Sequence, residues 1–419
     1  MRILRITATV AALSIGLALL GRALFLERVS AALRTQLETA EDTEAALLEF
    51  FGPPIPDGEN AVPVLERLSA WMDAARPHTE QPEALAEEPW EWDAAASSEV
   101  ATYLASLEPF FEGITEALAR PGFSLPIRRA LSIGETIVPD FTIRGAVRAN
   151  RLLTASAWLA LSNPDSSDRD LERGALHLAQ ALTYAAKVDT TCLITHLVRC
   201  SAIVRVTSIV QELLERDAVD ARWLRDRIAP ALEESGESTL FARCLRGERA
   251  WFTVNMDGML PEIEAATGLR AWIQRPFIVN SMRRYIEDMG TAIVICDAPY
   301  AEARAGIDRM LAEAPKPKRG LMALAFPSGW AISIAPLFSG YEASVEAVAQ
   351  TRLARLALDA LASERPGDVF EHTTIVDPRT ELPFGRTENE DGSLTLLPAL
   401  HPEAGARGNR TWTLPQVGR

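Results

Sequence analysis

The chain is poor in the residues that most often carry enzyme chemistry. Its 419 residues include only four cysteines and five histidines. Four cysteines in a chain of this length do not make a disulfide framework. Two of the histidines, His372 and His401, lie near the C-terminus. Few residues are therefore available for catalysis by cysteine or histidine.

The familiar catalytic and nucleotide-binding motifs are also missing. No Ser-x-x-Lys, Gly-x-Ser-x-Gly, His-Glu-x-x-His, P-loop or Gly-x-Gly-x-x-Gly sequence occurs in a supporting context. A cluster of basic residues is lacking too, and the net charge is −15 with a pI near 5.0. An acidic surface repels phosphate backbones, so we expect no nucleic-acid partner. We also expect no cofactor, and no motif assigns a catalytic, cofactor-binding or metal-ligating residue.

What the sequence does contain is an apolar N-terminus. Residues 6–20 carry no charge, and Arg2 and Arg5 precede them. The run extends to Leu26 if Arg22 snorkels toward the membrane surface. About 20 apolar residues span a bilayer, whereas about 15 make a signal peptide. Arg22 lies inside the small-residue cleavage site at 21–23, which favours an uncleaved anchor over residues 1–26.

The rest of the chain predicts a mainly α fold. Hydrophobic residues make up 48% of the chain, as is usual in globular proteins. This content allows a substantial core. We expect a helical body over residues 27–365, arranged as a bundle or as an array of helix pairs. The most apolar helix, 190–216, should lie at its centre. The other predicted helices begin at Asn60, which can cap its helix, and cover 97–119, 142–161, 168–187, 220–234, 239–255, 268–289 and 341–364.

Two further stretches depart from this pattern. Residues 320–341 carry no charge and are long enough to span a membrane, but Pro327 and Pro336 favour a bent, buried helix pair. Residues 366–400 contain the turn sequence Asp391-Gly392 and an alternating run, which predict a small β-hairpin. We expect it to dock on the helix at 341–364, because an isolated hairpin is marginal in water. Residues 401–419 are predicted to form a disordered tail.

Several short motifs occur in a characteristic order. They are Glu59-Asn60-Ala61-Val62-Pro63, the stretch 152–182, Arg246-Gly247-Glu248-Arg249-Ala250, Arg355-Leu356-Ala357-Leu358 and Asp377-Pro378-Arg379-Thr380-Glu381-Leu382-Pro383-Phe384. In that order, the chain resembles a loose family of uncharacterised envelope proteins of planctomycete-like bacteria. The resemblance implies an N-terminal anchor, a helical body and a C-terminal Asp-Pro-x4-Pro segment before a short hairpin. The family has no established activity to transfer.

The C-terminal segment is also distantly similar to the end of type II secretion pseudopilins. In those proteins Asp-Pro-Trp-Gly-x-Pro precedes a hairpin, whereas this chain has Arg379-Thr380 at the central positions. The large helical body and the missing prepilin cleavage site also differ from a pilin. A pilus or secretion-system accessory role is therefore the third alternative for function.

Two groups of residues are candidates for chemistry. Cys192, His196 and Cys200 share one helical face, and His177 would have to come from a neighbouring helix to complete a metal site. One metal cannot reach all three, since Cys192 and Cys200 lie about 12 Å apart on a helix. We therefore expect packing residues and no zinc. Glu248, within Arg246-Gly247-Glu248-Arg249, is a candidate acid or base, although such a glutamate more often joins an ion-pair network.

The functional prediction is correspondingly general. We expect a single-pass protein of the inner membrane whose bulk is periplasmic, acting as a scaffold or a partner-binding protein without catalytic activity. Its partner would be another envelope protein. The alternative is an extracytoplasmic, hydrolase-like enzyme that uses Glu248 in a cleft between helices. The acidic stretch 80–93 could recruit a basic partner, or it is a solvated loop.

Overall fold

The computed structural model describes residues 2–39, 55–74, 81–123, 141–187, 193–236, 240–313, 335–397 and 411–415. The fold is mainly helical with one small antiparallel sheet, as the sequence predicts. The α-helices are α1 (Arg2–Thr39), α2 (Val62–Ala74), α3 (Ala94–Ala105), α4 (Glu108–Ala119), α5 (Ala146–Leu161), α6 (Asp168–Lys187), α7 (Leu193–Glu215), α8 (Ala221–Ser235), α9 (Leu240–Ala265), α10 (Leu269–Cys296), α11 (Tyr300–Glu313), α12 (Ala335–Ala362) and α13 (Pro366–His372).

Short polar side chains begin several of these helices. An N-cap oxygen accepts a hydrogen bond from one of the first backbone N–H groups, which have no acceptor inside the helix. The predicted cap at Asn60 is among them. The bonds run from Val62 N to Asn60 Oδ1 (3.1 Å), from Ala96 N to Asp93 Oδ1 (2.8 Å) and from Trp223 N to Asp220 Oδ1 (2.6 Å).

The centre of the bundle is formed by α7 and α12. The helix α7 packs against α5, α6 and α12, and α12 also packs against α8. Side chains from all around α7 are buried, including Ile203, Val206 and Ile209. A helix that is apolar on every side requires partners on every side, which explains its central place. The helices α2 and α4 pack beside α5 and α6 on one flank.

A separate apolar cluster joins α1 to α9 and α10. Val29 and Leu33 of α1 are buried against Met256, Met282 and Ile286. The helix α1 runs unbroken from Arg2 to Thr39, so the predicted division at residue 26 falls inside a continuous helix. The C-terminal half of α1 therefore belongs to the body.

The predicted transmembrane helix is not confirmed by this structure. Among the described side chains, one helix is long and apolar enough to cross a membrane, Leu193–Glu215, and 56% of that stretch is buried inside the body. It is α7, whose packing is that of a core helix. The side chains of residues 1–15, which include most of the apolar run at 6–20, lie outside the described part. Residues 314–334, most of the second candidate, also lie outside it.

The C-terminal sheet has three strands, β1 (Gly385–Glu388), β2 (Leu394–Leu397) and β3 (Trp412–Leu414), in the order β1-β2-β3. The predicted hairpin is the β1–β2 pair, in which Gly385 faces Leu397 and Glu388 faces Leu394. Its turn uses Gly392 at a φ of 80°, where a side chain would be strained. The prediction of a disordered tail from residue 401 is wrong for residues 411–415, because β3 pairs with β2 there.

The sheet is docked on the helical body, on α12 as predicted and also on α7. The Trp412 indole N–H donates to Gln350 Oε1 of α12 at 3.0 Å, and the Thr413 N–H donates to Glu215 Oε1 of α7 at 3.1 Å. Leu396, Trp412 and Leu414 are fully buried. Packing against two helices stabilises a sheet that is too small to stand alone.

The Asp-Pro segment before the sheet is also held by α12. Asp377 is buried, and its Oδ1 accepts a hydrogen bond from the Arg379 N–H at 2.9 Å, so it is a turn residue as predicted. Arg379 forms a largely buried ion pair with Glu346 of α12. Arg352 of α12 donates to the Val376 carbonyl at 3.0 Å.

Candidate functional site

The structure places Glu248 at the beginning of the central helix. Glu248 lies on α9, and its Oε2 accepts a hydrogen bond from the backbone N–H of Leu193, the first residue of α7, at 2.9 Å. The Tyr285 hydroxyl of α10 donates to Oε1 at 3.2 Å. A carboxylate in this position satisfies a helix N–H and faces the positive end of the helix dipole.

The surroundings of Glu248 are those of a structural group. Burial raises the pKa of Glu248, and the bonds from Leu193 and Tyr285 act in the opposite direction. Its sequence neighbour Arg246 bonds instead to Asp297 at 2.7 Å, on the exposed surface. Residues two apart on a helix point to different sides, so the predicted polar cluster does not converge on one point. Capping of α7 therefore explains the position of Glu248 without a role as an acid or base.

Removal of this cap should destabilise the fold moderately. We expect Glu248→Ala to lower the free energy of unfolding by about 1–2 kcal/mol, because the Leu193 N–H loses its acceptor. Glu248→Gln retains an amide oxygen and should cost less. Denaturant unfolding followed by circular dichroism measures both. Glu262→Ala, at an exposed position on the same helix, is the control; a Glu248→Ala protein as stable as this control would contradict the capping role.

The predicted Cys/His group is a buried contact on α7. The His196 Nε2 and the Cys200 Sγ lie 3.4 Å apart, and both residues are buried. Burial lowers the pKa of His196 to about 3 and raises the pKa of the Cys200 thiol to about 12, so both groups are neutral. Cys192 lies outside the described residues. A neutral thiol is neither a nucleophile nor a metal ligand.

His177 lies in different surroundings on α6. Its Nδ1 is 2.9 Å from the Ser156 hydroxyl of α5, and its ring stacks on Phe111 of α4 with centroids 4.7 Å apart. His196, in contrast, packs edge-on against Phe241 of α9. Within the part of the chain that the structure describes, no three His, Cys, Asp or Glu side chains come close enough to hold a metal ion.

The acidic stretch at 80–93 is held against the body. Two 3₁₀ turns, Glu83–Ala86 and Pro89–Glu91, form its backbone. Leu85 is buried, and the Trp92 indole N–H donates to the Ala84 carbonyl at 2.8 Å. Trp90 packs edge-on against Trp158 of α5. The stretch is thus an ordered cover on α5, with Glu83, Glu87, Glu91 and Asp93 exposed and Glu88 turned toward Arg205 of α7 at 3.6 Å.

A cleft that the sequence does not reveal lies between α2, α4, α5 and α6. Its volume is about 360 Å³, at the small end of the range for small-molecule sites. Its lining contains apolar and polar side chains. The apolar ones are Leu65, Leu68, Met72, Phe110 and Ile114; the polar ones are Ser69, Asp73, Arg144, Arg148 and Tyr184.

The polar groups of the cleft differ in depth. Arg144 and Asp73 are exposed at its mouth, and Arg148 lies 3.4 Å from the Asp73 carboxylate. Tyr184 is 3% exposed, and its hydroxyl has no hydrogen-bond partner among the residues that the structure describes. Burial raises the pKa of Tyr184, so the phenol stays protonated and can donate a hydrogen bond.

Comparison of the chain with protein-family models, with curated proteins and with solved structures finds no match of any of the three kinds. The resemblance to envelope proteins and to pseudopilin ends therefore stays a prediction.

Proposed function

We propose that this chain is a non-catalytic binding protein that the N-terminal part of α1 holds in the inner membrane, with its helical body outside the cytoplasm. The proposal rests on how α1 packs on α10. The Arg22 guanidinium lies over the Trp272 ring, 4.3 Å from its centroid, and the Gln36 amide donates to Glu287 at 2.8 Å. The two contacts are separated by nearly the same number of residues along α1 as along α10. The two helices therefore run parallel, side by side.

This arrangement leaves the apolar run beyond the first residue of α10. The helix α10 begins at Leu269, just before Trp272, whereas α1 begins at Arg2. Roughly 17 residues of α1, or roughly 25 Å, extend past the start of α10. That length approaches the thickness of a bilayer core, about 30 Å. Leu19, Leu20 and Leu24 are exposed where the extension begins.

The charges before the apolar run support an orientation with the helical body outside the cytoplasm. Arg2 and Arg5 precede it, and basic residues favour the cytoplasmic side of a membrane. The body would then lie in the periplasm, where another envelope protein is the expected partner. The cap at Glu248 favours this non-catalytic role over the hydrolase-like alternative, because it gives the one candidate acid a structural task. A pull-down from solubilised membranes would identify the partner.

The anchoring predicts a simple fractionation result. Full-length protein should stay in the membrane pellet through high-salt and alkaline washes. Leu13→Arg with Leu17→Arg should release it, since each arginine near the centre of a span costs about 2.5–3.5 kcal/mol on insertion scales. The matched control is Leu176→Arg with Leu311→Arg, at exposed leucines of α6 and α11, which should stay in the pellet. A soluble wild-type product that begins near Leu24 would show a cleaved signal peptide instead.

A further inference from the structure

The helix α1 joins the proposed anchor to the body without a flexible linker. It runs unbroken from Arg2 to Thr39, and Val29 and Leu33 in its C-terminal half are buried in the apolar cluster with α9 and α10. A helical connection is a semi-rigid spacer, unlike a flexible coil. The part of the body beside the point where α1 leaves the bilayer is therefore held at the level of the membrane surface.

The contact between Arg22 and Trp272 identifies this part of the body. The Arg22 guanidinium lies over the Trp272 ring and also donates to the Trp272 carbonyl, in the first turn of α10. A span of about 20 residues that begins near Ile6 ends near Phe25. Arg22 thus lies close to the outer end of the span. The start of α10 and the α9–α10 turn, residues 266–268, lie beside that end.

The exposed side chains at this edge suit a membrane interface. Leu19, Leu20 and Leu24 of α1 are 46%, 57% and 57% exposed, and Trp272 is 44% exposed. Tryptophan is enriched at the level of the lipid headgroups, because its ring is apolar and its indole N–H can bond to water. Arg22, in contrast, is 4% exposed, since the Trp272 ring lies over it. The charge of Arg22 is therefore shielded from the acyl chains.

We propose that Trp272 and the α9–α10 turn insert into the headgroup layer of the periplasmic leaflet, so that the body is seated on the membrane that holds α1. The partner of this surface is the phospholipid interface itself. The contact is made by the exposed leucines of α1 and by the Trp272 ring. This inference deepens the proposed function and rests on its anchor, but a body that stands clear of the lipid would contradict the seating alone.

The test is a fluorescent reporter on the turn of the full-length protein in phosphatidylcholine nanodiscs. Thr267→Cys, at an exposed position of the turn, is labelled with a nitrobenzoxadiazole dye in a Cys192→Ser background. Two quenchers are compared, a spin label attached to the lipid headgroup and iodide in the water. The matched control is Val294→Cys, which is 73% exposed on α10 and lies roughly 33 Å along the helix from Trp272.

The two positions should respond in opposite ways. Spin-labelled lipid should quench most of the emission from the dye at residue 267 and little of that at residue 294, because such quenching requires near contact. Iodide should quench the dye at residue 294 more strongly. Equal iodide quenching at both positions, in protein that co-elutes with the discs without detergent, would overturn the seating alone. Protein that does not co-elute would overturn the anchor and the seating together.

Native tryptophan emission gives a second measurement, without a dye. Lipids brominated near the headgroup quench tryptophan rings that lie in the interface. Trp272→Phe should reduce the quenched part of the emission and keep an aromatic ring over Arg22. Trp223→Phe, on α8, removes a ring that contacts Arg227 within the body and should leave the quenched part unchanged. An unchanged quenched part in Trp272→Phe would place the Trp272 ring away from lipid and refute the proposal.

Discussion

Replacement of Trp412 by alanine is expected to lower the free energy of unfolding by about 3–5 kcal/mol, the usual cost of a large cavity in a core. Trp412 is fully buried where β3 meets α7 and α12, and its indole N–H is the partner of Gln350. The substitution empties that space and leaves the buried Gln350 oxygen without its donor, which adds to the loss. Urea unfolding of the solubilised protein, followed by circular dichroism, measures the change.

A second tryptophan provides the matched control. Trp272 on α10 is 44% exposed and contacts Arg22. Its replacement by alanine should cost about 1 kcal/mol or less, the value of an exposed cation–π contact. Equal stability losses in the two variants would mean that β3 is not part of the folded body.

The second large effect is a loss of stability in acid. His177 and His196 are buried, and burial lowers their pKa values to about 4 and about 3. In the unfolded chain both titrate near 6.5, so between pH 6.5 and 4 the unfolded state binds more protons than the folded state. Stability is therefore complete above about pH 6.5 and falls as the pH drops. The two histidines together should cost roughly 3–8 kcal/mol by pH 4.

Variants separate this effect from other titrating groups. Burial raises the pKa values of Glu248, Asp288 and Asp359, and these acids favour the folded state in the same acidic range. The measurement is therefore the difference between wild type and the double variant His177→Gln with His196→Leu. The double variant should lose several kcal/mol less between pH 7 and 4. His372→Gln, at an exposed position, should follow the wild type; a double variant that also follows it would disprove the assignment.

The helical core was predictable because it depends on local pattern. The central helix was identified from its continuous apolar sequence, which calls for burial on all sides. The boundaries of the neighbouring helices are predicted by helix-breaking sequences such as Asn163-Pro164. The predicted helix at 97–119 is in fact two helices, α3 and α4, separated at Ser106 and Leu107. Pro109 explains the break, because its ring would clash with the carbonyl of Ala105 in a continuous helix.

The third strand is not predicted in the sequence analysis, although a signal for it exists. The sequence Thr411-Trp412-Thr413-Leu414 alternates polar and apolar residues, as a half-buried strand does. The alternating run is short, and the preceding residues 401–410 are rich in turn formers. Together these two features favour a loop over a strand. Pairing with β2 and burial against two helices supply the stability that three residues lack.

The cleft could not be predicted from the sequence at all. Its lining comes from four separate helical regions, and none of the lining residues belongs to a motif. Leu65, Phe110 and Tyr184 each occupy ordinary positions on the apolar face of a helix. Only the packing of α2 and α4 beside α5 and α6 brings them to one space. The role of Glu248 as a cap was hidden for the same reason, because its partner Leu193 is 55 residues away in sequence.

The central claim, a body outside the cytoplasm on an N-terminal anchor, is tested most directly by labelling from outside. Ser98→Cys places a thiol at an exposed position of α3 and is combined with Cys192→Ser, because Cys192 lies outside the described residues. The native Cys200, Cys244 and Cys296 are buried, so the Cys192→Ser protein serves as the blank. A membrane-impermeant maleimide is added to intact spheroplasts. The account predicts that Ser98→Cys is labelled in intact spheroplasts as fully as after lysis. Labelling that occurs only after lysis would place the body in the cytoplasm and contradict it.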